Sequence, residues 1–105
     1  MSSVALVKDV ISRAEVTVSS GGWTNLLPTS APGREGVFLF NSGSVDVLYR
    51  LKGAAATAPS GTPSRGASSG VLLVGETRYL AIGADVLVYA ASVAGSGSVA
   101  LEEVA

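Results

Sequence analysis

The chain contains no cysteine and no histidine. Without cysteine there is no disulfide, no thiolate metal site and no thiol nucleophile, and the redox compartment leaves no mark. Without histidine the commonest general base and the commonest transition-metal ligand are both missing. Charge is scarce too: charged residues make up 14%, and seven basic against eight acidic side chains leave a net −1. That balance argues against the basic footprint of a nucleic-acid binder and the polybasic segment of a membrane-surface protein. Long apolar runs are also lacking. The most apolar stretch, Tyr79 to Gly95, spans 17 residues and is broken by Asp85, whereas a membrane helix needs about 20 apolar residues. The start, Met1-Ser2-Ser3-Val4-Ala5-Leu6-Val7-Lys8-Asp9, has neither the basic n-region nor the long apolar core of a signal peptide. The expectation is a soluble protein with no nucleic-acid, membrane or cofactor partner and no catalytic residues.

What is abundant points to strands. Val, Ala and Ser occur 15 times each and Gly 13 times, while Gln is absent and Lys appears twice. Valine is β-branched and favours strands, Gly and Ser mark turns, and strong surface helix formers are few. With 105 residues and 48% hydrophobic content, one domain can bury about 64% of its unfolded surface. That suffices for one modest core.

Ala14-Glu15-Val16-Thr17-Val18-Ser19 alternates and ends at Gly21-Gly22. Gly36-Val37-Phe38-Leu39-Phe40-Asn41 is apolar on both faces, which predicts a strand covered on both sides or placed at a subunit contact. A turn cluster, Asn41-Ser42-Gly43-Ser44, then leads into Val45-Asp46-Val47-Leu48-Tyr49-Arg50-Leu51-Lys52, so the two strands read as a hairpin. Residues 53–70, rich in Gly, Ala, Ser and Pro, read as a long loop containing at most one short edge strand. Further strands follow at Val71–Val74, Thr77–Ala81, Val86–Ala91 and Ser98–Val104, with Gly95-Ser96-Gly97 as a hairpin turn.

Turn signals every ten residues or so predict an all-β fold, a compact antiparallel β-sandwich, jelly-roll-like, of about eight short strands. The expected division is an N-terminal arm or first strand over residues 1–13, with a short helix as the alternative, and a sandwich over 14–105. The expected core is Val37, Leu39, Val47, Tyr49, Leu73, Leu80, Val88 and Leu101.

Chemical motifs are weak. Gly66-Ala67-Ser68-Ser69-Gly70 matches a nucleophile elbow, but no histidine exists to take the serine proton, and Lys8 and Lys52 complete no Ser-x-x-Lys pair. Glu102 and Glu103 are adjacent, so on a strand their side chains diverge, and they read as a solvated strand end. Trp23, the single tryptophan, either anchors a partner or plugs one end of the sandwich. Arg34, Arg50, Arg65 and Arg78 are dispersed and read as surface charges. The candidate partner contacts are Val4, Leu6, Val7, Val10 and Ile11 in the N-terminal segment, together with Trp23 and with Arg65 in the long loop.

The order of elements resembles small virion proteins of tailed bacteriophages. The likeness runs over residues 14–103, through Ala14-Glu15-Val16-Thr17-Val18, a Leu-Leu-Pro segment, Arg34-Glu35-Gly36-Val37-Phe38-Leu39-Phe40-Asn41-Ser42-Gly43-Ser44, Gly70-Val71-Leu72-Leu73-Val74-Gly75-Glu76 and Leu87-Val88-Tyr89-Ala90-Ala91-Ser92. It implies a non-enzymatic structural protein, a capsid decoration (cement) protein or head-fibre base, on the capsid surface of the virion and made in the host cytoplasm. Its partner would be the major capsid (coat) protein. The two-faced apolar runs at 36–40 and 86–91 predict a homo-oligomer, and the resemblance, through capsid threefold positions, favours a trimer. The alternative within the same likeness is a tail, neck or fibre module that binds a receptor or carbohydrate through Trp23 and Tyr79.

Overall fold

A computed structural model describes residues 10–28 and 31–105. Eight strands follow one another: β1 (Val10–Ser19), β2 (Thr24–Asn25), β3 (Gly36–Asn41), β4 (Val47–Gly53), β5 (Gly70–Leu72), β6 (Thr77–Leu80), β7 (Val86–Ser92) and β8 (Ser96–Val104). They pair antiparallel as β1 with β8, β2 with β7, β3 with β6 and β4 with β5. That nesting is one long antiparallel ribbon, doubled back between β4 and β5. Two further pairings, β3 with β8 and β4 with β7, roll the ribbon into two four-stranded sheets, β1-β8-β3-β6 and β2-β7-β4-β5. This is the jelly-roll form of the expected β-sandwich. Its exposed area, 5395 Å², is about that of a compact monomer of this mass.

The core lies between the sheets. Val18, Val37, Leu39, Val99 and Leu101 enter from one, and Val47, Tyr49, Leu72, Val88 and Ala90 from the other, with Leu26 and Leu27 closing an end. Six of these residues alternate along β3, β8 and β7, as a half-buried strand requires. On β1 the alternation is kept by a bulge between Arg13 and Val16. The extra residue there leaves both Ala14 and Glu15 exposed while Val16 and Val18 still face inward.

Several local expectations are corrected. The segments 36–41 and 45–52 do not form a hairpin: β3 and β4 belong to opposite sheets. Residues 42–46 cross the sandwich instead, and the buried Asn41 side chain holds that crossing. Its Nδ2 donates to the carbonyls of Val45 (2.9 Å) and Leu72 (3.0 Å), and its Oδ1 accepts from the Gly43 amide (3.0 Å). Likewise Gly95-Ser96-Gly97 sits at a crossing from β7 to β8 between the sheets, not in a hairpin. Leu73 is 54% exposed and Leu72 takes the core position. In Val71-Leu72-Leu73-Val74 no polar residue marks which parity faces inward, so the alternation was unreadable. Leu80 is only partly buried, against the core edge. Of the segment 1–13, expected as an arm or first strand, residues 10–13 form the start of β1, and residues 1–9 lie outside the described residues. Within residues 53–70 the structure has a single 3-10 turn, Arg65–Ala67, and no edge strand before Gly70.

Candidate functional site

Strand register places side chains in rows across the outer face of the β1-β8-β3-β6 sheet. One row reads Ser12, Glu102, Phe38, Tyr79. The next reads Ala100, Phe40, Thr77, with the bulged Glu15 alongside. All share the parity opposite to the core residues Val37, Leu39, Val99 and Leu101. The aromatic rings are bare: Phe38 is 39% exposed, Phe40 40% and Tyr79 45%. Phe38 and Tyr79 touch as a tilted pair, with ring centroids 4.8 Å apart and planes at 51°. Between the β1 edge and these rings runs a shallow groove of about 390 Å³, lined by Ser12, Phe38, Phe40, Thr77, Ala100 and Glu102, with Arg13 and Leu101 also at its border.

The opposite sheet is different. Leu48, Tyr89 and Ala91 lie on its outer parity, yet each is buried. Exposed aromatic surface is therefore confined to one face. Exposed aliphatic residues elsewhere, Leu73, Val74 and Val93, sit on connections at one end, where Asp46 accepts from the amides of Val74 and Val93.

The charges on the aromatic face are acidic. Ser12 Oγ donates to Glu102 (3.3 Å) and Ser42 Oγ to Glu15 (2.5 Å). The nearest cation, Arg13, is turned to the other side of β1 and held by Glu103 through Nε (2.9 Å) and Nη2 (2.5 Å).

Glu103 corrects the reading of Glu102-Glu103 as a solvated strand end. It has the inward parity of Val99 and Leu101 and no exposure. Arg34, read as a surface charge, is 3% exposed and pairs with it at 3.1 Å. Arg34 also donates to the carbonyls of Ile82, Gly83 and Val86. Burial pushes the Glu103 carboxyl up, but hydrogen bonds from Arg13, the Ala31 amide and Arg34 outweigh it and hold the group below the usual carboxylate range. The cluster ties β1, β8 and two loops together at one end. Its polar atoms are spent on one another. Among the described residues no group of three or more carboxylates is placed to hold a metal ion.

A smaller network fixes the β6 edge. Arg78 donates to Tyr49 Oη (2.9 Å) and to Glu76, and its guanidinium lies 5.6 Å from the Tyr49 ring centre. The Leu73 amide first, and then Arg78, lower the Glu76 pKa.

Of the contacts expected from sequence, Val4, Leu6 and Val7 lie outside the described residues. Val10, 51% exposed, pairs with Val104 at the start of β1, and Ile11 is half-buried opposite Glu103. Val10 has the outer parity of Ser12 and borders the aromatic face, whereas Ile11 has the inward parity of Glu103. Trp23 does not join it: the residue is half-buried between β1 and β2, and its indole N–H is enclosed without a hydrogen-bond partner. Arg65 is exposed in the 3-10 turn between β4 and β5. Sequence reasoning missed Glu15, Phe40 and Glu102 as one surface. The available signal was the two-faced apolar run at 36–40.

The chain matches no family model, no curated protein and no solved structure.

Proposed function

We propose that the protein is a non-enzymatic structural protein of a tailed-phage virion, a capsid decoration protein that docks on coat subunits through the outer face of β1-β8-β3-β6. The observation that carries this is the cluster of bare rings, Phe38, Phe40 and Tyr79, on one sheet face, where the opposite sheet buries its outward Leu48, Tyr89 and Ala91. Exposed contiguous aromatic surface mostly marks a partner contact, and aromatic side chains dominate such contacts. Each copy would bury a modest area, and the repeating lattice would make binding multivalent. A protein that binds only the assembled shell stabilises that shell by linkage. The resemblance in strand order and turns supplies the virion context, and the jelly roll accords with it.

The test uses capsids of the encoding phage stripped of this protein. Wild-type protein should co-sediment with them and raise their melting temperature, and Phe40→Ser protein, folded normally, should stay in the supernatant. Wild-type protein that ignores capsids and fractionates with tails overturns the reading in favour of a receptor-binding module.

A further inference from the structure

The aromatic face has a polarity of its own. One carboxylate, Glu102 in the row of Phe38, lines the groove on the β1/β8 side. It accepts from the Ser12 hydroxyl, whereas Glu15 lies outside the groove and accepts from Ser42, next to Ser98. The Arg13 guanidinium nearby is already engaged by Glu103. A groove with a phenyl floor and an anionic wall complements a cation carried on an apolar stem. Guanidinium fits best, because it stacks flat on an aromatic ring and bonds a carboxylate in two places at once.

We infer that the groove between β1 and Phe38/Phe40 is a recognition site for an arginine flanked by apolar side chains on a protein partner. The inference rests on reading this face as a docking surface and adds the chemistry of the partner. Arginine would lie over Phe38 or Phe40 with its guanidinium toward Glu102, and its apolar neighbours would cover Ala100 and the second ring. The acidic rim would also repel surfaces rich in carboxylates, so it selects as well as attracts.

Three blocked pentapeptides test this, each with two valines on either side of a central arginine, citrulline or glutamate. Each is titrated into isotopically labelled full-length protein and followed by amide chemical shifts. The arginine peptide should give saturable shifts centred on Ser12, Phe38, Phe40, Ala100 and Glu102. Its affinity should exceed that of the citrulline peptide about fivefold or more and fall with added salt. Glu102→Gln, at an exposed position, should abolish that preference without moving the shifts of core residues. Equal binding of all three peptides at the face overturns the arginine inference and leaves the docking surface standing. Absence of shifts at the face with every peptide overturns both.

Discussion

Arg34 and Glu103 meet 3.1 Å apart with neither side chain reaching solvent. Removing one partner strands the other charge in a medium that cannot solvate it. Glu103→Leu should therefore cost about 3–5 kcal/mol, read as a drop in the urea midpoint. A loss under about 1 kcal/mol would show that water reaches Arg34.

The same cluster sets an acid limit. The folded pKa of Glu103 lies below its ordinary value of 4.5, so folding favours the ionised form. Its contribution is complete above pH 4.5 and is lost as pH falls through the depressed folded value. Between pH 7 and pH 3, the stability of wild-type protein should fall more steeply below pH 4.5 than that of Glu103→Gln. Parallel curves would remove Glu103 from the acid response.

Tyr79 lies over Gly36, and a β-carbon at that position would overlap the phenol. The ring also packs on Phe38 and donates weakly to the Glu35 carbonyl at 3.5 Å. Gly36→Ala should cost about 1–3 kcal/mol by overpacking. In the Tyr79→Ala background the same change should be nearly neutral, because the clash has gone. Additive effects in thermal melts would place the strain elsewhere.

Asn41 serves three backbone groups of the β3–β4 crossing and β5 from a buried position. Asn41→Leu keeps the branched shape but orphans those groups, at about 1–3 kcal/mol. Hydrogen exchange should quicken first at the Gly43 amide, which loses its acceptor.

The mass in solution is open to direct measurement. A homotrimer is expected, so light scattering at micromolar concentration should give three times 10.4 kDa. A monomer would count against self-association and shift the weight to the shell-bound state.

Much of this fold was legible because turns and alternation are local. Val99 and Leu101 against Ala100 and Glu102 told inward from outward on β8 without any tertiary knowledge. The same rule, carried one residue further, puts Glu103 inside. The sequence reading stopped short because a buried carboxylate is improbable until its cations are known, and Arg13 and Arg34 lie 90 and 69 residues away. The hairpin at Asn41 failed for a related reason. A turn cluster shows where a chain reverses, while the choice of sheet is made by β6, β7 and β8 much later in the chain. The aromatic face was half visible, since an apolar run on both parities demands a cover for each. Which side chains share the uncovered side depended on the register of four strands.

The last strand, β8, sits between β1 and β3 and pairs with both. On the ribosome the other seven strands emerge first, and β1 and β3 then have no common neighbour to join them. Residues 96–104 must clear the exit tunnel before that sheet can close. Its closure also has to bring together segments some 90 residues apart, a topology that folds in milliseconds to seconds rather than microseconds. Until then the inward side chains of β3, Val37 and Leu39, are open to aggregation. A nonsense codon or a poorly placed fusion near residue 96 should thus remove the whole sheet and yield insoluble chain.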